Sequence, residues 1–187
     1  MEIKGRTQNA KGSNSYWLTE MSHAGYNEII LLSGQEKDCM KRSEINAALK
    51  EMEQMIREYR FAIPPFCNFT PEEWKEKGHD YDEIRDNMLG WDITDYGLGN
   101  FDKVGFSLIT IRNGNLKMKD KYTKSYAEKL LYIKEGQYSP MHFHWSKMED
   151  IINRGGGNVL IRVYNSTKDE DLDKVNDVHV HVDGREM

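Results

Sequence analysis

Hydrophobic and polar positions divide this 187-residue chain into three textures. Residues 1–39 show no sustained periodicity: positions 8–15 are polar, and the one apolar run, Ile29-Ile30-Leu31-Leu32, closes at Ser33-Gly34. This segment reads as an appendage. From Met40 the pattern changes, because Ile45, Ala48, Leu49, Met52, Met55 and Ile56 recur at the spacing of an amphipathic helix. Ser43 is the expected N-cap, with Asn46 in place of the acid that would complete a capping box. The helix should end near Tyr59, since Pro64-Pro65 forbids continuation. Thr70-Pro71-Glu72-Glu73-Trp74 predicts a second, short helix: threonine caps, proline suits the first helical position, and the acids favour the positive end of the dipole.

Beyond Trp91 the period falls towards two. Residues 104–112 alternate along a predicted strand that ends at the turn Asn113-Gly114-Asn115, read as a hairpin. Further strands are expected over 127–133, closed by Glu135-Gly136, and over 138–144. Two more span 159–164, closed by Asn165-Ser166, and 178–182, closed by Asp183-Gly184. The charged stretch 168–174 reads as a solvated loop. Short strands with frequent turns after a helical preface predict a mainly β sandwich or barrel. No internal repeat is visible.

Composition narrows the function more than the fold. Hydrophobic residues make up 38% and charged residues 30%, a wet surface around about one domain. The net charge of −5 lacks the basic footprint of a nucleic-acid binder, and no run approaches the length of a membrane span. The first residues have no signal-peptide pattern. Cys39 and Cys67 are too few for a disulfide framework and lack C-x-x-C spacing, so a reducing, cytoplasmic setting is expected.

Candidate chemistry concentrates in residues 141–150. On a strand, His142 and His144 project to one face, where two imidazoles can share an ion, and Glu149, past a bend, can fold back to add a carboxylate oxygen. Two imidazoles and a carboxylate suit manganese, iron, nickel, cobalt or zinc, with positions left for substrate oxygens. An H-x-H on a strand is by itself as often just a polar face. Pro140 ahead of the pair and Arg154-Gly155-Gly156-Gly157 behind it favour a shaped pocket.

The spacing G-x₅-H-x-H-x₄-E, here Gly136, His142, His144 and Glu149, with Gly157 before a strand, resembles the first conserved motif of the cupin superfamily. The longer runs 135–144 and 147–158 are similar to the D-lyxose isomerases. So are Met40-Lys41-Arg42-Ser43-Glu44-Ile45-Asn46, Pro64-Pro65-Phe66 and the segment from Gly90 to Gly97, and the resemblance covers residues 40–187. It implies a cupin-type jelly-roll barrel with N-terminal helices and a metal-dependent aldose–ketose isomerase. That enzyme would interconvert D-lyxose and D-xylulose, with D-mannose and D-fructose as a second pair, using Mn2+ and working as a homodimer.

Carried over position by position, the resemblance makes His142, His144 and Glu149 metal ligands and gives Lys129 a place at the sugar. From spacing alone Lys129 reads as a surface lysine. The family's fourth ligand, a histidine, and a catalytic glutamate would follow Asp183-Gly184, and the sequence runs to Met187. An incomplete barrel with an exposed sheet edge is therefore expected. His179 and His181 repeat the H-x-H pattern at the wrong spacing and read as a polar face. Residues 1–39 have no counterpart in the family and are expected to be translated upstream sequence or an extension. The alternative to an isomerase is a metal- or sugar-binding fragment without catalysis; nothing favours a cupin dioxygenase.

Overall fold

A computed structural model describes residues 40–144 and 148–187 and, before them, the backbone of two strands, β1 (Thr7–Gln8) and β2 (Tyr16–Ser22). The apolar run at 29–32, the rest of the extension, Cys39, and Trp145, Ser146 and Lys147 lie outside the described residues. The chain is mainly β, with antiparallel ladders and few helices, and it divides into two compact units.

One unit spans Lys37–Phe101 and Phe106–Ile133. It begins with α1 (Arg42–Glu58), whose N-cap is Lys41 and not Ser43. The Lys41 N–H donates to the Glu44 carboxylate at 2.6 Å, so an acid in the third helical position reaches back to the helix end and sets the start two residues earlier than expected. The end at Tyr59 is as predicted. Ala48, Met52 and Ile56, four apart, are buried, and Met52 and Ile56 form the core with Cys67 and Ile109. A 3-10 turn, Pro65–Asn68, delivers Cys67 to that core, and the Cys67 carbonyl accepts a bond from Trp91 Nε1 at 2.8 Å.

The helix α2 (Pro71–Glu76) carries the predicted cap in full. The Thr70 N–H donates to Glu73 at 2.7 Å while the Glu73 N–H donates to Thr70 Oγ1 at 3.2 Å. A further short helix, α3 (Asp82–Asp86), has too few turns to leave a periodic signature in the sequence. Next come β3 (Gly90–Thr94), β4 (Phe106–Arg112) and β5 (Glu128–Tyr132), an antiparallel sheet with β4 in the middle. Trp91, Ile109 and Leu130 are in register on the face that packs on the α1 core. Leu108 and Thr110 occupy the opposite face of β4 and are also buried, as a central strand requires.

Asn113-Gly114-Asn115 does not close a hairpin. β4 and β5 do pair, but residues 113–127 intervene. The asparagine amides instead tie the chain to the end of α3: Asn113 donates to the Asn87 carbonyl at 3.0 Å and Asn115 to the Asp86 carbonyl at 2.9 Å. These polar side chains satisfy helix-terminal carbonyls, and the strand return is postponed.

The second unit takes in Asp102–Gly105, Lys134–Met187 and the two amino-terminal strands. Its strands are β6 (His142–Phe143), β7 (Leu160–Ser166), β8 (Leu172–Asp173), β9 (His181–Val182) and β10 (Arg185–Glu186). Four of the strands form a sheet in the order β6-β2-β7-β8, and three form another in the order β1-β9-β10. The strand expected over 138–144 is shortened to β6. Tyr138 is engaged by a neighbouring loop, accepting from the Gly105 N–H at 2.8 Å and donating to the Lys103 carbonyl at 2.9 Å, and Pro140 has no N–H to offer a ladder. β9 is likewise shorter than the 178–182 expected, although its turn forms as predicted, with Asp183 and Gly184 at φ 51° and 78°. Within the charged stretch read as a loop, Leu172 and Asp173 pair with Ser166 and Asn165. Tyr16–Ser22, where the sequence shows no periodicity, is a strand of the four-stranded sheet. No helix among the described residues is long and apolar enough to cross a membrane.

Candidate metal centre

His142 sits on β6 and His144 just beyond it, so the alternation of the strand puts both rings on one side. Their centroids are 4.9 Å apart with planes at 77°. His142 Nδ1 lies 2.9 Å from the Pro140 carbonyl, and because a carbonyl only accepts, Nδ1 carries the proton. In the neutral ring that bond leaves the lone pair on Nε2, the form an imidazole needs to ligate a cation. The sequence supplies this orienter as Pro140-Met141-His142, a role its motif spacing does not announce.

Glu149, past the bend, lies beside His144. Its Oε1 is 3.6 Å from His144 Nε2, and that nitrogen is shielded from solvent. Two atoms bound to one ion at about 2.1 Å each lie no more than about 4.2 Å apart, so this pair is close enough to share a cation. An imidazole and a carboxylate suit a divalent metal in charge and donor type. His142 flanks the pair without converging on it: among the described residues no group of three His, Cys, Asp or Glu side chains is arranged to hold an ion.

The bend behind Glu149 follows from its glycines. Gly155 and Gly156 take φ of 134° and 90°, a region a side chain would strain, whereas Gly157 does not. Asn153 locks the bend from both ends. Its Oδ1 accepts from the Gly155 N–H at 3.0 Å and its Nδ2 donates to the Gly157 carbonyl at 2.8 Å.

Lys129 belongs to the other unit. It is exposed on β5, opposite Thr110 in register, and therefore on the sheet face away from the α1 core. His179 and His181 lie at the β9–β10 hairpin, where exposed His179 Nδ1 is 3.3 Å from Glu186 Oε1, in keeping with a polar face.

Asp95, within the Gly90-to-Gly97 segment, has a structural task that the sequence reading does not assign. Its buried carboxylate accepts from the Gly97 and Gly99 N–H groups at 2.8 and 2.9 Å and closes the loop after β3.

Residues 40–187 match the family model for D-lyxose isomerase. The chain is 42% identical over 146 residues to a D-lyxose/D-mannose isomerase of Escherichia coli O157:H7, covering 78% of this chain and 63% of that protein. A D-lyxose/D-mannose isomerase of Serratia proteamaculans is 41% identical over 128 residues, 68% of this chain and 56% of its own length. The chain thus spans less than two thirds of either relative. The matched region contains the histidine strand, the returning glutamate, the glycine bend and Lys129, and this chain belongs to the D-lyxose isomerase family.

Proposed function

We propose that this chain is a metal-dependent aldose–ketose isomerase, or the metal-bearing part of one, built on a cupin-type barrel and acting on D-lyxose, with D-mannose as a second sugar. The observation that carries the reading is the approach of Glu149 to His144 beside His142, in a chain of this family. His142, His144 and Glu149 would hold the ion, most simply Mn2+. When bound, it would supply Lewis-acid stabilisation of negative charge on sugar oxygens as the carbonyl moves from C1 to C2.

The side chains do the rest. The Pro140 carbonyl keeps the proton on Nδ1 of His142 and so leaves Nε2 as the ligating nitrogen. Glu149 beside His144 is poorly placed to be the proton-carrying base, because a carboxylate that serves a cation is weakly basic. Lys129 would orient a sugar hydroxyl or balance negative charge through its ammonium group. A cytoplasmic homodimer is part of the same reading.

The test is conversion of D-lyxose and D-mannose with added Mn2+, for the chain and for His142→Ala. Conversion is expected, and the variant should lose at least tenfold in rate, as removal of a ligand does. A chain that binds Mn2+ and converts neither sugar sinks the isomerase reading. Binding without turnover is the second reading, and it predicts Mn2+ uptake with no conversion of either sugar.

A further inference from the structure

β6, the strand that carries His142, has one ladder partner among the described residues, β2. Leu18 and Trp17 stand opposite His142 and Phe143 on one side. On the other side the same two residues stand opposite Val163 and Tyr164 of β7. The histidine strand is thus joined to the rest of its sheet through Tyr16–Ser22, a segment outside residues 40–187 that match the family model.

A two-residue strand does not hold its own geometry, and metal ligands must be kept within about 0.5 Å of their working positions. The ladder register of β2 on β7 shifts between Leu18 and Met21, a bulge that re-aims the strand beside the histidines. The segment Tyr-Trp-Leu-Thr-Glu-Met-Ser contains no proline or glycine and is suited to a central strand.

We propose that residues 16–22 are the positioning strand of the candidate metal centre: their backbone ladder sets the placement of His142 and thereby the affinity for a divalent cation. This rests on reading His142, His144 and Glu149 as ligands. Both edges of β2 are paired, so a proline at position 18 removes a ladder donor on one side or the other.

The test titrates the full-length chain with Co2+ by calorimetry, for wild type, Leu18→Pro and Leu18→Val. The proline variant should bind about 10- to 100-fold more weakly, as loss of an outer supporting group does, and the valine variant as wild type. Amide-exchange protection in the β9–β10 hairpin, which belongs to the same unit as β2 but to its other sheet, should be unchanged in both and shows that the unit folds. Independently, the double variant Trp17→Cys/Phe143→Cys should form a disulfide between positions 17 and 143 under mild oxidation, since antiparallel partners lie about 4.5–5.5 Å apart at Cα. Wild-type Co2+ affinity in Leu18→Pro, or no such disulfide, overturns the proposal. A wild-type chain that takes up no Co2+ overturns the metal reading and this one with it, whereas wild-type uptake with an unaffected Leu18→Pro overturns this one alone.

Discussion

Single residues in this chain are governed by whom they face. His142 and His144 are chemically alike, yet one donates to the Pro140 carbonyl and the other meets a carboxylate, so the same side chain is held in two different ways. Cys67 shows the opposite use of a reactive group. Burial pushes its thiol up to about 11, which keeps it neutral and inert in the core. Alkylation at pH 8 should therefore label Cys67 only after denaturation, as peptide mass mapping would read. The same shift has a stability consequence. The folded thiol holds its proton more tightly than the unfolded one, so its contribution is intact below about pH 9 and is lost as pH rises towards about 11. A denaturation midpoint whose pH dependence between 9 and 11 is the same in wild type and in Cys67→Ala would contradict this.

Elements are held by polar side chains at their ends and apolar ones along their faces. The capping box of α2 answers its first orphan donors, and Thr70→Ala should cost about 1 kcal/mol, measured by urea unfolding. The return from β4 to β5 is pinned at Asp86, which accepts from the Tyr122 hydroxyl at 2.6 Å and from Lys121 Nζ at 2.9 Å. The Tyr122 bond first, and then the Lys121 bond, hold the Asp86 carboxyl below its ordinary 3.8. This stabilisation is present above that ordinary value and disappears as pH falls through the lowered one. Tyr122→Phe should accelerate amide exchange in residues 113–127 at neutral pH, and the difference from wild type should shrink once Asp86 is protonated. Equal exchange in both proteins at pH 7 would refute the latch.

At the scale of the molecule, two compact units answer to different determinants. The helix-backed unit has a contiguous core of Met52, Ile56, Cys67 and Ile109, and Met52→Ala should cost about 2–5 kcal/mol. Amide exchange should rise in β3, β4 and β5 and leave β7 as it was; a matching loss in β7 would show that the units unfold as one. The unit that bears the histidines is organised by its ladder, in the order β6-β2-β7-β8, with β6 at an edge. A variant that perturbs the ladder is therefore expected to reach His142, and one that perturbs the Met52 core to reach Lys129 on β5.

What the sequence determined by itself is whatever depends on near neighbours along the chain. The face of α1, the Thr70 cap, the Asp183-Gly184 turn, the H-x-H alternation and the glycine bend all arise within a few residues, where periodicity and backbone freedom decide the outcome. The family resemblance over 40–187 was legible for the same reason, being carried by local motifs. Tertiary structure decided what depends on distant partners. Lys103 and Gly105 take Tyr138 away from a longer histidine strand, Asn113 and Asn115 are drawn to the end of α3, and Tyr16–Ser22 pairs with residues more than a hundred positions away. Backbone hydrogen-bonding capacity is the same at nearly every residue, so no local pattern can say which distant strand will claim it.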